Sequence, residues 1–169
     1  MKEKELKLIR ELILNSKRSD RDLAKEIQTT QPTIGRIRKK IEKEGYISEY
    51  SAFPDLSKLN IKLIAFISIK WNDYNKTDKI KEFSEFLMKN EFIFFSAPGE
   101  GFQGKTKIII SLHKDYGSYE LFLRTLRAQW TQFFSLMDTF LVSTDNLIKN
   151  FTFSGLADVL KFKDFQKNP

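Results

Sequence analysis

Hydrophobic residues in the first 45 positions recur every three or four residues, which is the spacing of amphipathic helices. The pattern predicts three helices, over residues 4–15, 20–27 and 30–44. In the third, Ile34, Ile37 and Ile41 fall on one core-facing stripe, while polar and basic residues occupy most of the remaining surface. Because only a tight turn separates the second helix from the third, the pattern predicts a helix-turn-helix.

Local signals define where these helices begin and end. Ser19, followed three residues later by Asp22, resembles a capping box for the second helix. Thr30 is a favourable N-cap for the third helix, Pro32 is tolerated in its first turn, and Gly45 is a natural stop. The third helix therefore has a defined N-terminal tip that carries polar side chains.

The pattern changes after the third helix. Residues 46–53 alternate between apolar and polar, which predicts an exposed strand that serves as a wing or a linker. Further strands are predicted over 61–70, 92–97, 107–112 and 136–142, with helices over 77–90 and over 118–129, the latter capped by Ser118. This βαββαβ order predicts a ferredoxin-like sandwich behind the helical head, and hence an α+β fold.

The chain thus divides into three regions. Residues 1–53 are predicted to form a DNA-binding domain with a linker strand, residues 54–145 the βαββαβ domain, and residues 146–169 a C-terminal tail. Both helices of the sandwich cover one sheet face, so we expect a second copy of the chain to cover the apolar strands on the other face. The tail is rich in aromatic residues, which predicts a short helix over 155–162 that docks on the sheet domain or on a neighbouring subunit.

The composition favours a polyanionic partner. The 169 residues carry a net charge of +7, and residues 1–50 contain 13 Lys and Arg against nine Asp and Glu. The absence of cysteine excludes disulfides and thiolate metal sites. Because no apolar run reaches about 18 residues and the first residues are charged, we expect a cytoplasmic protein with no membrane partner.

The basic third helix predicts double-stranded DNA as the partner. Near its tip, Gln31, Thr33 and Arg36 are candidates for base contacts, since Gln pairs with adenine and Arg with guanine. The candidates for phosphate contacts are Arg18, Arg21, Arg38, Lys39, Lys40 and Lys43. The alternatives are a solvated helix face for each cation and, for the whole head, a bundle that does not bind DNA, which would leave a small-molecule sensor or an assembly module. Gly35 either permits a close approach to the groove or is tolerated at about 1 kcal/mol relative to Ala.

A phosphate-loop pattern also occurs. Residues 99–106 read GEGFQGKT, and Asp138 is the aspartate nearest to a magnesium-holding role. A phosphate loop must open a helix, however, whereas residues 107–112 predict a strand. We therefore interpret this stretch as a hairpin loop whose glycines adopt positive φ, and nucleotide binding is the disfavoured alternative.

No catalytic constellation is predicted. His113, the only histidine, is interpreted as a polar residue at a strand end, because no nucleophile or carboxylate-rich motif accompanies it. The paired acids Asp20/Asp22 and Glu42/Glu44 are interpreted as capping and solvated helix charges. The third predicted strand of the sandwich is aliphatic, which disfavours RNA binding through the sheet. We predict no enzyme activity, no cofactor and no metal site.

Four segments together resemble the Lrp/AsnC (feast/famine) family of prokaryotic transcription regulators. They are residues 23–27 (LAKEI), 30–34 (TQPTI), 36–42 (RIRKKIE) and 45–52 (GYISEYSA), which match the family pattern LA…S.pTV..Ri..Le..GvI.gY.a. The order of elements after Ile61 also matches the ligand-responsive domain of that family, so the resemblance covers about residues 4–143.

The resemblance implies a dimer built by two sheet domains packed face to face, often assembled to tetramers or octamers, whose paired heads bind a pseudo-palindrome. It also implies an amino acid or another small effector near the hairpin after the second strand of the sandwich, where this chain carries Gly99, Gly101 and Gly104. The family tends to place an aspartate shortly after a glycine there, and residues 99–106 contain none.

Overall fold

A computed structural model describes residues 1–160 and divides the chain into two compact units. The first unit contains residues 1–53 and the segment that begins at residue 150, and the second contains residues 54–149. We call them the head and the sheet domain. No helix in the described part of the chain is long and apolar enough to cross a membrane.

The head is built from short helices around an aliphatic core. Its elements are α1 (Glu3–Leu14), α2 (Asp20–Glu26), α3 (Gln31–Lys43) and, after the sheet domain, α6 (Ser154–Val159). Leu8, Leu23, Ile34 and Ile41 are fully buried in its core, so the stripe predicted on α3 faces inward. The helix-turn-helix prediction is therefore confirmed by the order and packing of α1, α2 and α3.

The turn between α2 and α3 is tightly hydrogen-bonded. The Thr29 amide donates to the Ala24 carbonyl (2.8 Å) and the Gln28 amide to the Lys25 carbonyl (3.3 Å), which is a Schellman arrangement. Gln28 adopts φ +56° in this turn, where glycine is the usual residue. The same arrangement closes α3, where Gly45 has φ +75°. These two turns fix the directions in which α3 starts and ends.

The ends of the helices differ in detail from the sequence predictions. Ser19 caps α2 by accepting a hydrogen bond from the Asp22 amide (3.2 Å), as predicted. Thr30 lies at the N-cap of α3, but its hydroxyl bonds to the Thr33 hydroxyl (2.8 Å) instead of to the backbone. Residues 46–53 form no strand, so the predicted exposed strand is an irregular segment.

The C-terminal segment belongs to the head. α6 packs against α1, Ala157 is fully buried, and Leu160 contacts the head core. The prediction from the sequence is that this segment docks on the sheet domain or on a neighbouring subunit. An aromatic composition predicts docking but not the surface that receives it, which explains the difference. The predicted helix ran to residue 162, and residues 161–169 lie outside the described part of the chain.

The sheet domain has the predicted βαββαβ order. Its elements are β1 (Leu63–Trp71), α4 (Thr77–Lys89), β2 (Ile93–Pro98), β3 (Lys107–His113), α5 (Tyr116–Trp130) and β4 (Phe134–Ser143). The strands form one antiparallel sheet in the order β2-β3-β1-β4, which is the ferredoxin-like arrangement. The predicted α+β fold is confirmed, and no strand end differs from its predicted position by more than two residues. α5 is capped by Asp115, not by Ser118, which instead lies in the first turn and donates its amide to Asp115 (2.7 Å).

The core of the sheet domain lies between one sheet face and α4 with α5. Ala65, Ile67 and Ile69 of β1 point into it, together with aromatic side chains from both helices. Because side chains alternate along a strand, Phe66 points to the opposite face. The strand register aligns Phe66 with Ile110 of β3 and Phe140 of β4. These residues define what we call the open face.

Candidate nucleic-acid interface

The outward side of α3 carries a row of cations. Successive residues of a helix are rotated by about 100°, so Arg36, Lys39 and Lys43 lie roughly opposite Ile34 and Ile41. All three cationic side chains are exposed. None of them forms an ion pair with another residue between positions 1 and 160. Their ammonium and guanidinium groups are therefore available to an anion.

Three other residues predicted to contact phosphates, Arg18, Arg38 and Lys40, already form ion pairs within the head. Arg18 bonds Glu11 (2.5 Å) and Glu26 (3.3 Å). Arg38 bonds Asp20 through both Nε (3.0 Å) and Nη2 (2.7 Å). These contacts join α2 to its neighbours, so both arginines stabilise the head. A count of cations in the sequence does not separate such residues from free ones.

Lys40 has the same kind of role. Its Nζ lies 2.7 Å from Oε1 of Glu5, whose carboxylate is buried in α1. The hydrogen bond to Glu5 raises the pKa of Lys40, whereas the Lys2 backbone amide (2.6 Å) and then Lys40 lower the pKa of Glu5. Both groups stay charged near neutral pH, and the pair links α1 to α3. The two buried glutamates of α1, Glu5 and Glu11, were missed in the sequence, although each lies within reach of a basic partner.

The tip of α3 presents the predicted base-contacting residues unequally. Gln31 and Arg36 are exposed. Thr33 is half-buried, and its hydroxyl already bonds Thr30, which leaves mainly its methyl group for a ligand. Arg21 in the first turn of α2 is exposed, with no ion pair among the described residues. The structure thus brings Gln31, Arg36, Lys39, Lys43 and Arg21 to the surface as unpaired groups.

Gly35 lies on the flank of α3 and not on its outward side. A Cβ atom at this position would approach Asp20 Oδ2 to 3.5 Å, an ordinary contact. The glycine thus faces α2. This position gives no support to the alternative in which Gly35 lets the helix approach a DNA groove.

The phosphate-loop pattern has the geometry of a hairpin loop. Residues 99–106 connect β2 to β3, and the lysine of the pattern, Lys105, forms an ion pair with Asp138 of β4. Of the three glycines, only Gly104 has positive φ (+70°), and Gln103 supplies the other positive value (+59°). A strand follows the loop, so no helix N-terminus lies behind it to receive a phosphate. The role predicted for Gly99 and Gly101 as sources of positive φ is therefore wrong.

His113 is the last residue of β3, which agrees with the predicted strand-end position, but its side chain belongs to the core. Its ring is fully buried beside Phe92, Tyr119 and Phe122. Its Nε2 shares a hydrogen bond with the Ser111 hydroxyl (2.8 Å), and Nδ1 has no partner among the described residues. Burial lowers the pKa of His113 to about 4, with Asp115 acting weakly in the opposite direction, so the ring is neutral near pH 7. The described residues contain no group of three side chains that could hold a metal ion.

Several solved structures with a similar fold are described as transcription regulators. An AsnC family transcriptional regulator from Agrobacterium tumefaciens superposes with a TM-score of 0.79 and 22% identity over 90% of this chain and 94% of that one. The regulator NMB0573 from Neisseria meningitidis, solved as a complex with L-Met, gives 0.78 and 15% over 91% and 95%. AsnC of E. coli gives 0.70 and 14% over 89% and 97%.

No protein-family model matches the chain, and a search of curated proteins found no match. At these low identities the structural similarity establishes the fold. The chain has the two-part fold of the AsnC and Lrp regulators, in agreement with the resemblance of residues 23–52 to their sequence pattern.

Proposed function

We propose that this protein is a sequence-specific, double-stranded DNA-binding transcription regulator that acts as a homodimer. The observation that carries the proposal is the row of unpaired cations, Arg36, Lys39 and Lys43, on the outward side of α3, where α3 is the second helix of a helix-turn-helix. The regulators that share the fold support it. In this proposal α3 enters the major groove with its N-terminal turn nearest the bases.

Within α3 the proposed roles follow exposure and chemistry. Arg36 forms a bidentate contact with guanine and Gln31 with adenine, while Thr33 contributes its methyl group to a thymine contact. Lys39, Lys43 and Arg21 contact phosphates and give affinity without sequence preference. Arg18, Arg38 and Lys40 are assigned to stabilising the head, because their charged groups are already paired.

The open face of the sheet domain is the proposed dimer interface. One row across the four strands contains Phe95, Ile110, Phe66 and Phe140, and the Phe140 side chain is 70% exposed. Ile110 is buried within the chain, whereas Phe95 and Phe140 are exposed. Exposed aromatic rings of this kind are unfavourable in water, and a second copy can bury them against the same row. A dimer presents two copies of α3, so the expected target is a pair of half-sites about one DNA turn, or a multiple of it, apart.

A small effector is part of the proposal. The Neisseria regulator was solved with L-Met, and effector binding near the loop with Gly99, Gly101 and Gly104 is the corresponding expectation for this chain. Residues 99–106 lack the aspartate that the family tends to place in this loop, which disfavours an ordinary amino acid as the effector. Assembly beyond the dimer, to a tetramer or octamer, is a further expectation.

Selection of bound fragments from genomic DNA, followed by fluorescence anisotropy at several salt concentrations, tests the proposal. We expect one recurring pseudo-palindrome. Arg36→Ala should remove about 1–3 kcal/mol of discrimination at one base position. Lys43→Ala should weaken all sequences alike and reduce the salt slope by about one. Lys81→Ala, an exposed lysine of α4, is the matched control and should change neither.

Two outcomes would contradict the proposal. If the wild-type chain enriches no sequence and binds DNA no better than the Lys43→Ala chain at low salt, the alternative of a sensor or assembly module without DNA binding is favoured. If Arg36→Ala leaves sequence preference intact, the base-contact assignment is wrong while phosphate binding stands. For the dimer, Phe140→Glu should halve the mass in sedimentation equilibrium, and Leu121→Glu, on the exposed side of α5, should not.

A further inference from the structure

A groove of about 300 Å³ lies along the edge of the sheet domain, between α4 and β2. Its walls are largely apolar, with Leu87 and Met88 from α4 and Ile93, Ala97 and Pro98 from β2. Two serines, Ser84 and Ser96, and one cation, Lys107 at the start of β3, also line it. An apolar concavity with a few polar groups at one position is the general form of a small-molecule site.

Lys107 is the unusual member of this lining. Its Nζ lies 5.2 Å from the centre of the Phe83 ring and 3.4 Å from the Ser84 hydroxyl oxygen. That hydroxyl donates its own hydrogen to the Ile80 carbonyl (2.9 Å), so it accepts from the lysine. Burial lowers the pKa of Lys107. The ammonium group therefore retains N–H donors in a partly desolvated position.

No carboxylate in residues 1–160 forms an ion pair with Lys107. This distinguishes it from Lys105, a buried lysine of the same domain, because Lys105 bonds Asp138. A half-buried ammonium without an anion is destabilised by desolvation, and an anionic ligand would relieve that penalty. Charge complementarity thus specifies a carboxylate on the ligand, and the apolar walls specify a hydrocarbon body.

The lining also indicates what the ligand lacks. It contains no aspartate or glutamate among the described residues, so nothing there matches the ammonium group of an amino acid. An α-amino acid would place its cation near Lys107, which is unfavourable. At about 30 Å³ for each water-sized group, the groove accommodates roughly ten non-hydrogen atoms.

We propose that the groove between α4 and β2 binds a small apolar monocarboxylate without an α-amino group, with its carboxylate on Lys107 Nζ and its hydrocarbon part against Leu87 and Ile93. All residues that line this site belong to the sheet domain of one chain, and one of them, Phe95, is also in the row proposed for the dimer interface. Its lining includes Pro98 and Lys107, which flank the loop of residues 99–106, but no residue of that loop. The site does not depend on DNA binding, because binding to the groove can be measured on the protein alone.

Isothermal titration calorimetry of the full-length protein tests the proposal with a matched pair of probes. 4-Methylpentanoate and L-leucine share the hydrocarbon body and the carboxylate and differ in the α-ammonium group. We expect 4-methylpentanoate to bind at least about tenfold more tightly than leucine. We expect 4-methylpentanol to bind about tenfold more weakly than 4-methylpentanoate, because it lacks the carboxylate that forms a charge-assisted hydrogen bond.

Variants then locate the site. Lys107→Met keeps the length of the side chain and removes its charge, so it should weaken 4-methylpentanoate binding by about tenfold or more. Lys81→Met, an exposed lysine of α4 outside the groove, is the control and should bind like the wild type. Lys107→Arg should restore part of the affinity. If Lys107→Met does not fold by circular dichroism, Ser96→Leu fills the groove without touching the ammonium group and should abolish binding.

The proposal is overturned if none of the probes shows binding at a concentration of about 10 mM. It is also overturned if leucine binds as tightly as 4-methylpentanoate, or if Lys107→Met and Ser96→Leu both bind like the wild type. Loss of DNA binding in separate experiments leaves these results unchanged. A result that refutes ligand binding in the groove can therefore be distinguished from one that refutes the proposed regulator function.

Discussion

The head and the sheet domain are stabilised by different means. The head has an aliphatic core, and three ion pairs, Glu5–Lys40, Glu11–Arg18 and Asp20–Arg38, connect its helices and the loop after α1. The sheet domain is filled by stacked and tilted aromatic rings around Phe83. A small helical unit has little volume for large side chains, so ion pairs between its helices contribute a larger share of its stability. Cations in the head thus have two roles: paired cations stabilise the head, and unpaired cations are candidates for DNA contacts. Whether a cation has an acidic partner distinguishes the two roles.

The largest expected effect tests the aromatic side of this comparison. Phe83 is fully buried, with ring centres of Trp130, Phe134 and Trp71 at 4.9, 5.3 and 5.5 Å. Phe83→Ala should lower the free energy of unfolding of the sheet domain by about 3–5 kcal/mol, because it removes buried surface and leaves a cavity. Chemical denaturation measures this. Met88→Ala, on the same helix but 78% exposed, should change it by less than about 0.5 kcal/mol.

Equal effects of Phe83→Ala and Met88→Ala would show that the aromatic cluster does not dominate the sheet domain. A loss in Phe83→Ala that appears in a separate transition from the head would support independent stabilisation of the two units. Two transitions are followed by comparing near-ultraviolet and far-ultraviolet circular dichroism.

The next effect depends on pH and belongs to the same core. The pKa of His113 is about 4 in the folded chain against 6.5 when solvated, so the unfolded chain binds the proton more readily. The neutral His113 ring therefore adds its full contribution to the free energy of unfolding above about pH 6.5. That contribution declines as the pH falls towards 4, by about 3 kcal/mol in total. Asp115 is the charged group that opposes this shift, while Ser111, Phe92, Tyr119 and Phe122 surround the ring without charge.

The measurement is the free energy of unfolding of wild type and His113→Leu between about pH 7.5 and about pH 5, a range in which few carboxylates titrate. The wild type should lose stability over this range more steeply than the variant. Parallel curves would show that the His113 ring does not stay neutral in the folded chain.

The sequence was sufficient for much of this fold and for part of the site. Hydrophobic pattern and composition identified every helix and strand of the sandwich, and the apolar run over residues 61–70 predicted a strand covered largely on both sides. The division of β1 into core positions such as Ile67 and open-face positions such as Phe66 is seen only in the structure. The sequence did not predict that residues 46–53 remain irregular, because alternation shows only that a strand is compatible and not that a neighbouring strand exists.

For a similar reason, the sequence did not predict which cations of the candidate site form ion pairs. Arg38 and Lys39 are adjacent and equally basic in sequence, yet Arg38 bonds Asp20 and Lys39 is unpaired among the described residues. The difference arises from a contact between α2 and α3 that spans 18 positions. Helical rotation predicts which side chains point outward, but ion pairing across helices requires the packed structure. The same reasoning explains why the buried environment of His113 was missed.

A smaller effect tests the charge pairs of the head. The Arg38 guanidinium bonds Asp20 through Nε and Nη2, and both side chains are less than a third exposed. A double-mutant cycle with Asp20→Ala and Arg38→Ala should give a coupling energy of about 1 kcal/mol. Lys39→Ala with Asp20→Ala should give none, because the two side chains share no contact. A coupling near zero for both cycles would remove the distinction between paired and free cations.

The smallest expected effect separates stability from DNA binding at neighbouring positions. Gly35 lies in the middle of α3, and a Cβ there meets only Asp20 Oδ2 at 3.5 Å. Gly35→Ala should therefore raise the free energy of unfolding by about 0.5–1 kcal/mol through helix propensity. DNA affinity should stay unchanged, because the flank of α3 that carries Gly35 faces α2. Arg36→Ala should show the reverse, with unchanged stability and lost discrimination. If Gly35→Ala instead weakens DNA binding without loss of stability, the flank of α3 must approach the groove, and the orientation proposed for this helix on DNA would have to be rotated towards α2.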